Sequence, residues 1–334
     1  MSFAFVPGRA NLIGEHLDYN DGAALPFAVQ YGVNVTTTPT KLQEVTVDSE
    51  GFGRWSSREP ATQEWSLLAQ AVIEALGSSS QAISVSSDLP IGAGLSSSAA
   101  YLGALALALD APGDLKSVAT FLQSCESSAG HNVGLLDQFA TLGARSGHAL
   151  LIDFQTLEFR DVLVPDSLSF TAVDTGVRRR LATTQYAQRR HQCAIASEQI
   201  GALRCATPGD LEAIADSTVR SRARHVMTEY QRVLHAVSAL ESDDARRVGE
   251  LVSESHHSLS QDFEVSTPEI DKMVSEIIQL RGVYGARLVG GGFGGCVLVV
   301  HEPGLQSPWA KRAHWPLDVA SGAFERIGRS RIVS

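Results

Sequence analysis

Lysine is scarce in this chain. Its 334 residues hold only Lys41, Lys116, Lys272 and Lys311, and none of them follows a glycine loop. A GxxxxGK[ST] phosphate loop, whose lysine must reach the terminal phosphates, is thereby excluded. Cysteine is equally sparse. Cys125, Cys193, Cys205 and Cys296 form no CxxC and no zinc spacing. They read as reduced thiols serving as small core residues, in a cytoplasmic setting. No stretch approaches the ~18 apolar residues of a membrane helix. The opening MSFAFVPGR lacks the basic start and apolar run of a secretory leader. A formal charge of −10 argues against nucleic acid or an acidic membrane as main partner, though not against a small anion. No histidine has metal-ligand spacing, and His256-His257 reads as helix surface. Repeats and low-complexity tracts are absent.

What remains is ordinary globular composition, 44% hydrophobic and 19% charged, on a chain long enough for two domains. Three glycine-rich segments stand out: PGRANLIGEHLDYNDG (Pro7 to Gly22), LPIGAGLSSSAA (Leu89 to Ala100) and LVGGGFGGC (Leu288 to Cys296). Each sets bare backbone beside polar side chains. Their separation points to one site assembled from distant parts of the chain, as in an enzyme with two substrates.

Around the second segment, Ile83-Ser84-Val85-Ser86 alternates like a half-buried strand. Leu95, Ala99, Leu102, Ala106 and Leu109 then fall at helical spacing, so a helix begins near Ser96 and ends at Ala111-Pro112-Gly113-Asp114. Strand, glycine turn, helix start is an order that aims free N–H groups into the turn. Pro90 to Ser98 therefore reads as a phosphate cradle or, more plainly, as a serine N-cap with glycines serving packing. The third segment matches GxGxxG, but a strand follows it (Val297 to Val300) rather than a helix, so a dinucleotide site is not expected. It is a tight turn between strands or a place of close backbone approach to a ligand.

Val162-Leu163-Val164 and Phe170 to Val173 read as strands around a turn, with a domain boundary nearby. Beyond it the chain looks mostly helical. Val226, Tyr230, Val233, Val237 and Leu240 mark one helix. Thr267-Pro268-Glu269 caps another, with Ile270, Met273, Val274, Ile277 and Ile278 as its buried stripe and Gly282 to Gly285 as its stop. The class is α+β.

Taken in order, the three segments resemble the motifs of the GHMP kinases, and Gly8 to Gly22 resembles the galactokinase signature in particular. Gly134-Leu135-Leu136-Asp137-Gln138 is similar to that family's catalytic-aspartate segment. Tyr186 with Arg189-Arg190 and Cys193 is similar to its tyrosine segment. Glu254-Ser255-His256, Ser258-Leu259, Asp262 to Val265 and Pro268 to Asp271 are similar to its C-terminal helical region. The resemblance covers almost the whole chain. It implies a two-domain α+β fold, residues 1–165 and 166–334, with a left-handed β-α-β crossover in the first domain and the active site in the cleft. The implied reaction is ATP-dependent phosphorylation of galactose, or a related small sugar, at C1. A cytoplasmic monomer is implied, with ATP and Mg²⁺ and without nucleic-acid or membrane partners.

The same resemblance assigns roles. Asp137 accepts or orients the proton of the anomeric hydroxyl. Arg9 holds Asp137 and stabilises the moving phosphoryl group. Glu15, His16 and Asp18, with Gly134 and Tyr186, read the sugar. Pro90, Gly92, Ala93, Gly94, Leu95, Ser96, Ser97 and Ser98 hold the nucleotide's phosphates, and Ser98 with Glu126 supplies Mg²⁺ ligands.

The chain departs from the family pattern at Val133 (for Cys), Ala187 (for Asn), Ser260-Gln261 (for Arg-Asp) and Val289 (for Thr). These bear on sugar preference and efficiency more than on reaction class. Only six residues precede Pro7, fewer than is usual in the family; either a domain edge is bare or the start lies upstream. Two rivals stay open: a kinase for another sugar, such as N-acetylgalactosamine or arabinose, and a galactose sensor that binds sugar and ATP without turnover. Such sensors lack two residues of the serine-rich motif, which is uninterrupted here from Leu95 to Ala100.

Overall fold

The computed structural model describes residues 1–90, 92–131, 133–178, 182–309, 311–328 and 331. The first half is built on a five-stranded sheet. Ser2–Asn11 pairs antiparallel with Pro26–Pro39, which pairs antiparallel with Gln81–Ser87. Gln81–Ser87 runs parallel to Val45–Ser49, and Gly53–Ser56 closes the far edge. A parallel pair needs a long crossover, and the helix Glu64–Ala75 lies within it. The expected alternation is present, with Ile83 and Val85 buried and Ser84 exposed.

Helix Ser97–Ala108 packs against Ser2–Asn11 and Pro26–Pro39, and it is buried at every residue from Ala99 to Ala108. The expected apolar stripe is thus an apolar cylinder, because protein covers both sides of the helix. Helix Leu115–Ser128 starts at Asp114, whose side chain accepts from Ser117 N. Helix Leu136–Gly143 packs so tightly against it that a Cβ on Gly143 would lie 2.4 Å from Leu115. That closeness places Glu126 beside the start of the second helix. A small sheet of Ala23–Ala24, His148–Asp153 and Glu158–Leu163 completes this half.

The second half is less purely helical than its sequence suggests. Ala182–Ile200, Ser217–Glu241, Ala245–Gln261 and Pro268–Ile277 are helices, but a four-stranded antiparallel sheet accompanies them. Its order is Val283–Leu288, Cys296–His301, Ser169–Asp174, His314–Leu317. The segment expected only to stop a helix therefore opens a strand. Gly282, at φ 85°, makes the turn, and Gly285 lets the strand touch helix Ala245–Gln261. A Cβ on Gly285 would lie 1.9 Å from Gly249 O.

Three further expectations fail locally. Cys205, expected with the other cysteines in the core, is exposed, while Cys125, Cys193 and Cys296 are buried. Ile278 lies past the last helical turn and is 36% exposed, so it is not in the buried stripe. His256 is not surface: it is 7% exposed, and its Nδ1 accepts from Leu288 N at 3.4 Å. Only His257 of that pair faces solvent. After His314–Leu317 the chain returns to the first half. There Ala320 N donates to Ala28 O and Gly322 N to Ala144 O, each at 2.8 Å.

Candidate active site

Two pockets meet where the halves face each other. The first, a cavity of about 290 Å³, is lined by Pro90, Gly92, Gly94, Leu95, Ser96, Ser97 and Ser98, with Arg178 at its side. Backbone shape defines it. Gly92 and Gly94 sit at φ 76° and 75°, a region favourable only to glycine, and Ser96 is held there too at φ 59°. Ser96 begins helix Ser97–Ala108 without a side-chain cap, and its buried hydroxyl has no partner among the described residues. A helix start left uncapped points its N–H groups at whatever anion enters. Ala93 is the exception among the expected residues. It is buried outside the lining, with its N–H turned to Pro90 O.

Arg9 joins the pockets. A register shift between Pro7 and Arg9 re-aims its strand, and Arg9 N donates to Leu95 O at 3.1 Å. The side chain, 6% exposed, has a divided grip. Nη1 donates to Gly94 O at 2.7 Å, while Nε and Nη2 approach Asp137 Oδ1 at 2.8 and 2.7 Å. Asp137 lies in the first turn of Leu136–Gly143 and does not cap that helix. Its second oxygen has no protein partner among the described residues.

Behind Ser98 lies Glu126, which is buried and not the solvent-facing helix glutamate that a bland reading would make it. It takes a hydrogen bond from Gln138 Nε2, and the Ser98 hydroxyl lies near it. Burial, and then the charge of Asp137, push its carboxyl up to about 7. A hydroxyl and a carboxylate crowded by a second carboxylate form a donor set suited to a hard divalent cation that takes its other ligands from phosphate and water. Mg²⁺ fits these residues.

The second pocket, about 270 Å³, is lined by Arg9, Glu15, His16, Asp18, Gly134, Asp137 and Tyr186, so the structure brings every expected sugar residue together. His16 is buried at φ 65°; Nδ1 shares a hydrogen bond with the Tyr19 hydroxyl, and Nε2 has no partner among the described residues. Burial, then the charges of His225 and Arg287, hold its pKa well below the usual imidazole range, so it is neutral. Asp18 is pushed up to about 7, chiefly by burial and then by Asp137 and Glu15, against the pull of Arg190. Gly134 makes room for it: a Cβ there would lie 1.7 Å from Asp18 Oδ2.

Several residues of the site were given no place in it by the sequence reading. The third glycine run proves to be both a turn between strands and a wall, since Gly290 and Gly291 line both pockets. His131 and Val133 line the sugar pocket and Arg178 the other. Phe263 carries the His16 ring, with centroids 4.5 Å apart. Buried Arg189 and Arg222 pin the Phe263 segment by donating to the carbonyls of Asp262, Phe263 and Glu264. Arg189 stands in the segment that resembles the family's tyrosine segment, whereas Arg222, an isolated arginine in helical sequence, carries no mark of such work. Arg287 gave no hint either, since the strand that carries it reads in the sequence as a helix stop.

This geometry, two pockets joined by an arginine–aspartate pair on a mixed α+β frame, is that of a GHMP kinase. Models of the GHMP kinase N-terminal and C-terminal domains match residues 65–144 and 236–307, and the galactokinase galactose-binding signature matches residues 2–39. Human galactokinase is 38% identical over 325 residues, spanning 89% of this chain and 82% of that protein. The galactokinase of Roseiflexus sp. (strain RS-1) is 36% identical with the same coverage. The structure of Lactococcus lactis galactokinase complexed with galactose superposes with a TM-score of 0.89 at 26% identity, covering 96% of this chain and 94% of that one. Mevalonate kinase of Methanococcus jannaschii, at 16% identity and TM-score 0.68, shares the fold. The chain belongs to the galactokinase family.

Proposed function

We propose that the protein transfers the γ-phosphoryl group of ATP to the anomeric hydroxyl of galactose, giving galactose 1-phosphate and ADP. The observation that carries this is the placement of Arg9, with one guanidinium nitrogen on the phosphate loop and two on Asp137 at the entrance to the sugar pocket. Phosphoryl transfer asks mainly for alignment, charge neutralisation and the handling of one proton. The C1 oxygen attacks the γ-phosphorus, the bond to the β,γ-bridging oxygen breaks, and the hydroxyl proton passes to the free oxygen of Asp137. Arg9 faces the charge that develops between the pockets.

Gly92, Gly94 and the first-turn N–H groups behind Ser96 hold the phosphates. Arg178, 3.8 Å from where a Gly92 Cβ would sit, adds a cation at the rim. Ser98 and Glu126 hold Mg²⁺, which when bound neutralises phosphate charge. Glu15, His16, Asp18 and Tyr186 read the hexose hydroxyls, and a pocket of buried polar partners rejects sugars that leave one unpaired. The working division of the chain in this reading is residues 1–165 and 166–334. No described helix is long and apolar enough to cross a membrane; a cytoplasmic monomer is the form we carry forward.

Product identity tests the proposal. Purified protein with Mg-ATP should convert galactose to a sugar phosphate whose ³¹P signal couples to the C1 proton. Phosphate on another carbon, or better turnover of N-acetylgalactosamine or arabinose in a sugar panel, would replace galactose as the substrate. Sugar binding without any ADP release would turn the reading towards a sensor.

A further inference from the structure

Behind the sugar loop lies a group of charges that the reaction above does not use. Arg287, on strand Val283–Leu288, is fully buried. Its Nη2 donates to Glu15 Oε1, its Nε to Leu288 O at 3.0 Å and its Nη1 to Ser255 Oγ at 3.4 Å. Nη1 also lies 3.8 Å from Glu229 Oε1. Glu229 is fully buried too. Its Oε1 accepts from Gly14 N at 2.9 Å and from Ser255 Oγ at 2.7 Å, and its Oε2 from Arg232 Nε at 2.7 Å.

One dipeptide of the sugar loop is therefore gripped twice from the second half of the chain. Glu229 holds the backbone of Gly14, and Arg287 holds the side chain of Glu15. Gly290 N adds a 2.9 Å bond to the same Glu15 oxygen, and His225 Nε2 reaches Glu15 O at 3.2 Å. Glu15 Oε2 has no partner among the described residues, and Glu15 lines the sugar pocket. Asp18 and Asp137 line the same pocket, so a third carboxylate there needs a fixed counter-charge.

We propose that Arg287 is a positioning residue for sugar recognition: backed by Glu229, it fixes the Glu15 carboxylate so that its free oxygen meets one hydroxyl of the hexose. This rests on the reading of Glu15 as a sugar contact. The planar fork is essential. It serves Glu15, Ser255 and Leu288 O at once, which a lysine's single point charge cannot do.

The test is steady-state kinetics on Arg287→Lys, Glu15→Gln and the double variant, with melting temperatures alongside. Arg287→Lys should raise the galactose KM by about ten-fold or more, because an unpaired hydroxyl is costly in a buried site. The ATP KM should stay within about two-fold, a split that general loosening would not produce. Because Arg287 acts through Glu15, the double variant should be little worse than Glu15→Gln alone, whereas independent sites would add. Should Arg287→Lys fail to fold, Glu229→Gln reads the same link, with a smaller rise in galactose KM at unchanged ATP KM. Equal rises in both KM values, additive effects in the cycle, or an unchanged galactose KM in Glu229→Gln would each overturn the inference while leaving the galactokinase reading intact. Wild-type protein that does not phosphorylate galactose would remove both.

Discussion

The proposed phosphate side of the cleft presents main chain: two glycines at positive φ, an uncapped helix start, and the bare run at Gly290 and Gly291. The proposed sugar side presents side chains, namely Glu15, His16, Asp18 and Tyr186. These are held by a second layer of buried charge and aromatic rings from the other half of the chain. The difference follows from what each ligand presents. A phosphate chain offers much the same oxygens whatever molecule it belongs to, and oriented N–H groups suffice for it. A hexose is told from its epimers by the direction of single hydroxyls, which demands acceptors fixed in place. The two sides should therefore break differently, and mutations can measure how separate they are.

The largest effect is expected at the point they share. Asp137→Ala removes the proposed proton acceptor and one end of the Arg9 grip. Its kcat should fall by about 10³-fold, within the range typical of general base loss. Galactose binding, measured by calorimetry without nucleotide, should survive in weakened form. Near-normal turnover would show that Asp137 orients the hydroxyl at most, and that the sides communicate through Arg9 alone.

Gly134→Ala comes next and should strike one side only. Its Cβ would lie 1.7 Å from Asp18 Oδ2, so Asp18 must swing away. The galactose KM should rise roughly ten-fold or more, with the ATP KM within about two-fold of wild type. A matching loss in both constants would mean that the pockets deform together, and the contrast between them would fail.

How far the sequence displays each side follows from the same contrast. The phosphate cradle is local: strand, glycines and serines lie within one short stretch, and their order alone suggested a helix start aimed at an anion. Glu15, His16 and Asp18 are also local, and the galactokinase signature picked them out. Their supports are not. Arg287 reaches Glu15 across 272 residues, and Glu229 reaches Gly14 across 215. Glu229 falls three residues after Val226 and four before Val233, on the apolar stripe of helix Ser217–Glu241, but that spacing does not say which backbone it will hold. Pattern reading also assigns polar residues to the surface by default, so His256 was misplaced and Glu126 needed the family motif to escape the same fate. Strand Val283–Leu288 was hidden because its glycines look like a helix stop. The use of Gly285, a close approach to Gly249, exists only once helix and strand are packed.

Proton titration sharpens the comparison further. Asp18, pushed up to about 7 chiefly by burial, is partly protonated in the free enzyme near neutrality. In the proposed role its carboxylate accepts from sugar hydroxyls, whereas its protonated form has given up an acceptor. The sign follows directly: kcat/KM for galactose should rise several-fold between about pH 6 and about pH 8, measured at saturating Mg-ATP because Glu126 on the phosphate side is also pushed up to about 7. Asp18→Asn should remove that rise as well as lower the plateau. A rise that persists in Asp18→Asn would place the titrating group elsewhere.

The smallest effect should come from Arg178, a mostly exposed cation that lines the phosphate side. Its side chain is 65% accessible and paired with Asp174 at 3.2 Å, so water and salt already screen it. If backbone holds the phosphates, Arg178→Ala should raise the ATP KM only about two- to five-fold, as expected for a rim charge. The change should shrink as salt is added, and the galactose KM should not move. A fall in kcat of about a hundred-fold at unchanged ATP KM would instead mean that Arg178 engages the phosphoryl group only in the transition state. In that case the phosphate side, too, would depend on a side chain for its chemistry, and main-chain geometry would account for binding alone.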